Sequence, residues 1–271
     1  MILDTLAQAS KKRVEEAKKR IPLEELKAKI FDGDSVKRFH NREDFAFERA
    51  LREGENVDIS FICEVKKASP SKGVIAKDFP YLTIAKEYEE AGAKAISVLT
   101  EPEYFKGSNT YLTKISESVN IPVLRKDFTV DEYQLFEAKV IGADAVLLIC
   151  TLLDKKTMKR FLRICDELGM SALVEAHTKE EVYEALEAGA NIIGVNNRNL
   201  QTFEVDIRNC IMLRELVPNE VIFVAESGIQ TAEDITVLKA AEVNAVLIGE
   251  TLMRSENKKE MLSYLSGCLK E

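Results

Sequence analysis

The run Ile59-Ser60-Phe61-Ile62-Cys63-Glu64-Val65, continued by Lys66-Lys67-Ala68-Ser69-Pro70, carries two signals at once. Its first half is almost continuously apolar, the mark of a strand in a parallel sheet covered on both faces. Its second half turns to charge, and in α/β enzymes the C-terminal ends of parallel strands are where chemistry is kept. Further short runs follow at 95–99, 122–125, 145–149, 172–175, 192–195, 221–225 and 245–248. Between them lie amphipathic stretches, such as Leu82, Ile84, Ala85 and Tyr88, with apolar residues at helical spacing. Gly92-Ala93, Gly142-Ala143 and Gly189-Ala190 repeat one helix-to-strand turn, glycine supplying the left-handed residue at the helix end.

Eight such units in unbroken series favour an α/β fold closed into a (β/α)8 TIM barrel over an open doubly wound sheet. The 271 residues, 46% of them hydrophobic, match the roughly 250 that such a barrel needs. The expectation is one (β/α)8-barrel domain over 1–271, with 1–58 an N-terminal helical extension too small for a core of its own. Leu3, Leu6, Ile21 and Leu23 of that extension need a surface, and the open top of the barrel provides one. The clusters Lys11-Lys12-Arg13 and Lys18-Lys19-Arg20, interleaved with Glu15 and Glu16, read as a solvated helix face.

Composition excludes several classes of function. A net charge of −8 repels nucleic acid and acidic membranes unless a basic patch is concentrated somewhere. No run approaches the roughly 18 apolar residues of a membrane span, and the start carries polar residues at short intervals, so a soluble, cytoplasmic protein is expected. The five cysteines, Cys63, Cys150, Cys165, Cys210 and Cys268, form no CxxC pair and read as reduced thiols. There is no HExxH, GxSxG or glycine fingerprint after the first strand, so neither a metal nor a nicotinamide cofactor is implied.

The strand ends supply the candidates. Glu64 and Lys66 are two apart and so share one face of a strand. With Lys126, Glu175 and Glu226 they would converge on one end of the barrel, and buried charges persist only when paired. Such a constellation is a site; a single pair could equally be a structural ion pair closing the top layer. Ser227-Gly228 and Gly249-Glu250 follow the last two strands, where this fold cradles phosphate with backbone N–H groups, so a phosphorylated substrate is implied. His40 reads as a surface or capping residue and His177 as a rim residue.

At these ends the sequence resembles the indole-3-glycerol-phosphate synthases over nearly its whole length. The resemblance rests on Glu64-Val65-Lys66-Lys67-Ala68-Ser69-Pro70-Ser71-Lys72-Gly73, on Ser97-Val98-Leu99-Thr100-Glu101 with Tyr104-Phe105-Lys106-Gly107-Ser108, and on Leu124-Arg125-Lys126-Asp127-Phe128. Gly194-Val195-Asn196-Asn197-Arg198-Asn199-Leu200 and Ala225-Glu226-Ser227-Gly228-Ile229 complete it. It implies a cofactor-free carboxy-lyase of tryptophan biosynthesis acting on a phosphorylated anthranilate-ribulose. The implied catalytic set is Glu64, Lys66, Lys126, Glu175, Asn196 and Ser227, with Lys126 a general acid and Glu175 a base. Lys66 would hold a substrate anion or serve as an acid itself. Ser69, Phe128, Arg198 and Glu226 would shape the anthranilate and sugar sites, and Gly228, Gly249 and Glu250 the phosphate site. Glu250 stands where some relatives carry a small hydroxyl residue, so it is expected to point away from the anion. Burial and a neighbouring ammonium are expected to make Lys126 more acidic. A monomer is expected. Two rival readings stay open: a phosphoribosylanthranilate isomerase-like barrel using a cysteine and an aspartate, against which Cys63 is expected to face away from the site, and a catalytically silent barrel kept as a scaffold subunit.

Overall fold

The computed structural model describes residues 2–31, 42–53, 59–199 and 203–267; His40, Leu200 and Cys268 lie outside the described residues. Eight parallel strands close into a barrel: β1 Ser60–Val65, β2 Ala95–Leu99, β3 Val123–Lys126, β4 Ala145–Ile149, β5 Ser171–Ala176, β6 Ile192–Asn196, β7 Ile222–Glu226 and β8 Ala245–Ile248. Strand β1 pairs with both β2 and β8, which completes the ring. All eight expected runs are strands. Their bounds differ at the C-terminal ends of β3, β5, β6 and β7, which reach on to Lys126, Ala176, Asn196 and Glu226. The charged residues therefore stand on the sheet itself, with the fixed aim of strand side chains.

Tracing the register around the ring, with the one-residue shift per strand that barrel tilt imposes, sorts the interior into levels. Ile62, Leu124, Leu173 and Val224, from the odd strands, form one apolar level inside the ring. Two residues further along the same strands come Glu64, Lys126, Glu175 and Glu226. Layers of four from alternate strands are the packing rule of this barrel, and here the uppermost odd layer is ionic instead of aliphatic. The level between is supplied by the even strands through Ser97, Leu147, Gly194 and Leu247.

The opposite faces of the strands pack against a ring of helices. These are α4 Tyr81–Glu90, α5 Asn109–Ser116, α6 Tyr133–Ile141, α7 Lys155–Glu167, α8 Lys179–Ala188, α9 Arg208–Arg214, α10 Ala232–Ala240, α11 Glu250–Arg254 and α12 Lys258–Leu265. Cys63 and Val65 belong to this outer core together with Tyr88, Leu112 and Phe161, all buried. The repeated turn is real and more frequent than the sequence suggests. Gly92, Gly142 and Gly189 have φ of 93°, 94° and 95°, and Glu242 takes the same role after α10 at φ 57°. In each case the following N–H reaches back to the carbonyl five residues earlier, as Ala143 does to Ala138 at 2.9 Å and Val243 to Leu238 at 3.1 Å.

The segment before β1 divides its work between the two ends of the barrel. It holds α1 Ile2–Arg20, α2 Leu23–Phe31 and α3 Ala46–Glu53. Helix α1 lays Ile2, Leu3 and Leu6 along the C-terminal mouth, whereas Ile21 and Leu23, expected there too, pack against the outer core instead. Helix α3 does the opposite: Phe47 and Leu51 are fully buried in the barrel's own interior, and the α3 backbone meets the strands' starting ends. Ser60 Oγ donates to Leu51 O at 3.2 Å and the Glu48 N–H to Ser171 Oγ at 3.1 Å. The extension thus also plugs the bottom, since an open barrel floor would leave Ile62 and Leu124 facing water. The basic stretch in α1 also departs from expectation. Lys11, Lys12, Lys19 and Arg20 are exposed, but Arg13 and Lys18 turn to the barrel, the former donating to Asp127 Oδ1 at 2.8 Å and the latter to Asp131 Oδ2 at 2.7 Å.

Candidate active site

Above the ionic layer the barrel opens into a cavity of about 750 Å³. Every residue singled out from the sequence lines it: Glu64, Lys66, Ser69, Lys126, Phe128, Glu175, Asn196, Arg198, Glu226, Ser227, Gly228, Gly249 and Glu250. At its floor Lys126 Nζ donates to Glu175 Oε2 at 2.9 Å and to Glu226 Oε2 at 2.7 Å. Lys66 donates to Glu64 on the same strand, as the two-residue spacing requires. Asn196 Nδ2 reaches Glu175 Oε1 at 3.4 Å, while Asn196 Oδ1 accepts the Arg198 N–H at 3.0 Å, so one side chain aims both the carboxylate and the start of the loop after β6.

Glycine makes room for this layer. A side-chain carbon on Gly194 would run into Glu226 Oε1, and one on Gly249 into Glu64 Oε1 and, at 2.9 Å, Lys66 Nζ. Gly249 was singled out for its backbone N–H; its lack of a Cβ is equally required by the ion pair beside it. Gly228, at φ 83°, follows Ser227 at φ 67°, two successive left-handed residues that turn the chain sharply off β7. Thr251 Oγ1 donates to Ile229 O at 2.8 Å and binds the loops after β7 and β8 together. Glu250 lines the cavity with its Oε1 taking Arg254 Nε at 3.0 Å and lying 3.7 Å from Lys72 Nζ.

The protonation pattern corrects one expectation. Burial alone would lower the Lys126 pKa, but Glu175, Glu226 and Glu64 outweigh it and hold the ammonium above its ordinary value. The neighbouring ammonium does not act as foreseen because Lys66 is already paired with Glu64. Burial opposes the ionisation of Glu175 as well, yet Lys126 and His177 hold its carboxyl below the usual range. Glu226 is the member that gives way: burial, then the nearby charges of Glu175 and Glu64, push it up to about 7 against the pull of Lys126. With Glu64 paired to Lys66, Glu175 and Glu226 share the single ammonium of Lys126, and two carboxylates this close in a dry site push one of the pair towards its protonated form.

The other end of the cavity is apolar. Leu3 and Leu6 from α1, Phe105, Phe128 and Ile149 line it, with the Phe105 and Phe128 ring centroids 6.0 Å apart. Phe105 was quoted in a motif without a role, and the structure supplies its support. The buried Glu101 carboxylate accepts the N–H groups of Glu103, Tyr104 and Phe105 at 2.9, 2.7 and 3.0 Å, pinning the loop that carries the ring. Asp127, one residue after Lys126, is buried and takes Arg13, Thr100 Oγ1 at 2.7 Å and its neighbour's N–H, so α1 is clamped beside Lys126. In the sequence Arg13 reads as part of a solvated face and Asp127 stands in a quoted motif without a role, because the partner of each lies far along the chain. Cys63 faces the helices as expected, its thiol raised by burial, and the other described cysteines are buried and free.

A family model of indole-3-glycerol phosphate synthase matches residues 3–265 of this chain. The indole-3-glycerol phosphate synthase of Ruminiclostridium cellulolyticum is 56% identical over 267 residues, covering 98% of this chain and 99% of its own. That of Lachnoclostridium phytofermentans is 54% identical over 274 residues, covering 99% and 100%. Among solved structures, a 3-hexulose-6-phosphate synthase from Salmonella typhimurium superposes with a TM-score of 0.62 at 16% identity, over 77% of this chain and 97% of that one. A thiamine phosphate pyrophosphorylase from Pyrococcus furiosus gives 0.55 at 17% identity over 78% and 95%. At such low identity these two likenesses bear on the barrel fold alone.

Proposed function

The chain belongs to the indole-3-glycerol phosphate synthase family, and we propose that its ionic layer and apolar wall together perform that family's ring closure. The reaction converts 1-(2-carboxyphenylamino)-1-deoxyribulose 5-phosphate to indole-3-glycerol phosphate, carbon dioxide and water. The observation that carries the assignment of roles is Lys126 Nζ, set between two carboxylates on the floor of the cavity.

The anthranilate ring lies against Phe105, Phe128, Leu3 and Leu6, where burial of its faces provides affinity. The phosphate lies at the opposite end, at the backbone of Gly228 and Gly249, with Lys66, Arg198 and Arg254 supplying positive charge. Between the two, the ketose carbonyl meets Lys126. A neutral carbonyl taking the place of a carboxylate contact weakens the ammonium's hold on its proton, so the arriving substrate itself makes Lys126 a better acid. Protonation of the carbonyl oxygen lets the ring carbon that bears the carboxyl group attack. Loss of carbon dioxide then restores aromaticity, and the reaction calls on no electron sink. Dehydration follows, with an ammonium protonating the departing hydroxyl and Glu175 taking a proton from the five-membered ring. Asn196 holds Glu175, Ser69 and Ser227 border the sugar, and Glu226 shares the proton economy of Lys126.

All of these groups come from one chain, so the site as assigned calls on no partner subunit, and no helix among the described residues is long and apolar enough to cross a membrane. We assign the enzyme to the cytoplasm, where its phosphorylated substrate would be made. Purified protein mixed with the anthranilate-ribulose phosphate should develop indole fluorescence against little background, because the chain holds no Trp. Absence of that signal with folded protein would favour the scaffold reading.

A further inference from the structure

We infer that His177 is a positioning residue that acts through Glu175, handing it the proton that each turnover draws from solvent. The inference rests on the activity assigned above and begins with its proton balance. The substrate carboxylate leaves as neutral carbon dioxide and a hydroxyl leaves as water, so each turnover consumes one proton. Ring closure places one proton on the carbonyl oxygen, dehydration places a second on the departing hydroxyl, and aromatisation returns one to the base. Across the 2.9 Å contact, Lys126 can recover the returned proton from Glu175. The other has to enter from outside.

The far side of Glu175 offers a route. His177 Nε2 stands 3.6 Å from Glu175 Oε1, and His177 Nδ1 stands 3.5 Å from Glu181 Oε2 on α8. Glu181 is fixed in turn by the His177 backbone N–H at 2.6 Å and by the hydroxyl of the exposed Thr151 at 2.6 Å. A line of ionisable groups therefore runs from the surface through Glu181, His177 and Glu175 to Lys126. Both ring nitrogens are buried and neither has a hydrogen-bond partner; each faces a carboxylate just beyond normal reach. A histidine that served only to fill the rim would not place both nitrogens between two carboxylates, since unpaired buried polar atoms are costly.

The groups facing the imidazole come from each element packed on it. They are Glu175 on β5, Glu181 on α8 and Glu226 on β7, with Lys126 of β3 behind Glu175. Asn209 on α9 donates to the His177 carbonyl at 3.3 Å and fixes the backbone. Burial would lower the imidazole pKa, but the carboxylates overcome it and hold His177 above its ordinary value.

The test compares the first turnover with those that follow, using indole fluorescence in rapid mixing. The parent enzyme is run first, and failure there sinks the activity assignment and not the relay. Below pH 7, in His177→Ala the first turnover should stay within about threefold of the parent, because Lys126 starts protonated and Glu226, raised to about 7 and 2.7 Å away, holds the second proton, while later turnovers slow by about tenfold or more. The result is a burst of one product per enzyme. Imidazole added to the buffer should restore the steady rate of His177→Ala. His177→Gln, which keeps the volume and cannot carry a proton, should show the same burst, and imidazole should not relieve it because the glutamine fills the space. An unchanged steady rate in either variant overturns the proposal. So does an equal loss in the first and later turnovers without rescue, which would make His177 a structural support of Glu175 only.

Discussion

At the residue scale, Lys126 is defined by its company: Glu175 at 2.9 Å and Glu226 at 2.7 Å. Lys126→Met keeps most of the stem and removes the proton donor, so turnover should fall about 10²-fold or more with far less change in KM. Glu175→Gln should do likewise, and the double variant should lose less than the product of the two, because the groups act in one sequence of proton transfers. Near-normal turnover in Lys126→Met with weakened binding would transfer the acid's role to Lys66. Gly249→Ala brings a carbon against Glu64 and Lys66 and should therefore lower kcat as well as raise KM, where a pure phosphate-cradle role would change KM alone. Gly194→Ala, which touches Glu226 and no part of the phosphate end, should lower kcat only.

At the element scale, the helix α1 is held over the mouth by buried apolar residues and by one ionic clamp. Arg13 is partly buried and the Asp127 it grips is almost wholly so, and that pairing holds the Asp127 carboxyl below its ordinary pKa against burial. Arg13→Ala should leave the barrel folded, raise KM several-fold by loosening Leu3 and Leu6, and make α1 exchange its amide hydrogens faster. Unchanged exchange in α1 would show that its apolar contacts suffice. The turn after α10 offers a test of another kind. Glu242 takes at φ 57° the left-handed position that glycine takes after α4, α6 and α8. Glu242→Gly removes that strain at some entropic cost in the unfolded chain, so a net gain of roughly 0.5 kcal/mol is expected, read as a higher denaturation midpoint.

At the scale of the whole molecule, two carboxyls oppose each other in the pH dependence of stability. Glu226, raised to about 7 from 4.5, keeps in the folded state a proton that the unfolded chain releases. Its contribution is present below about 4.5 and is lost as pH rises through 7. Burial would raise Glu181 too, but His177 and Thr151 bring it down to about 2, so its contribution is present above 4.5 and is lost as pH falls towards 2. Melting temperatures should accordingly decline less between pH 5 and 8 in Glu226→Gln than in the parent, and less between pH 5 and 2 in Glu181→Gln. Parallel curves for parent and variant would mean that neither group changes its affinity for protons on folding.

The sequence by itself determined the eight strands, their order and the end of each at which charge collects. Those signals are local: apolar runs, helical spacing and glycine at helix ends are written within about ten consecutive residues. The same locality placed Glu64 and Lys66 on one face and, through the alternation of layers, Lys126 with Glu175. Only the tertiary structure decided the partners. Lys126 and Glu226 are 100 residues apart and Arg13 and Asp127 are 114 apart, and no local pattern says which charges meet across such distances. Tertiary contacts also set the direction of the Lys126 shift, because an ammonium answers to whichever charges surround it, and three carboxylates reached it while Lys66 was engaged elsewhere. They sent α3 to the floor and α1 to the mouth, since an apolar helix face states that it must be buried but not where. And they turned the glycines of β6 and the β8 end into the spaces that Glu226 and Glu64 occupy, a need that exists only once the barrel has closed around them.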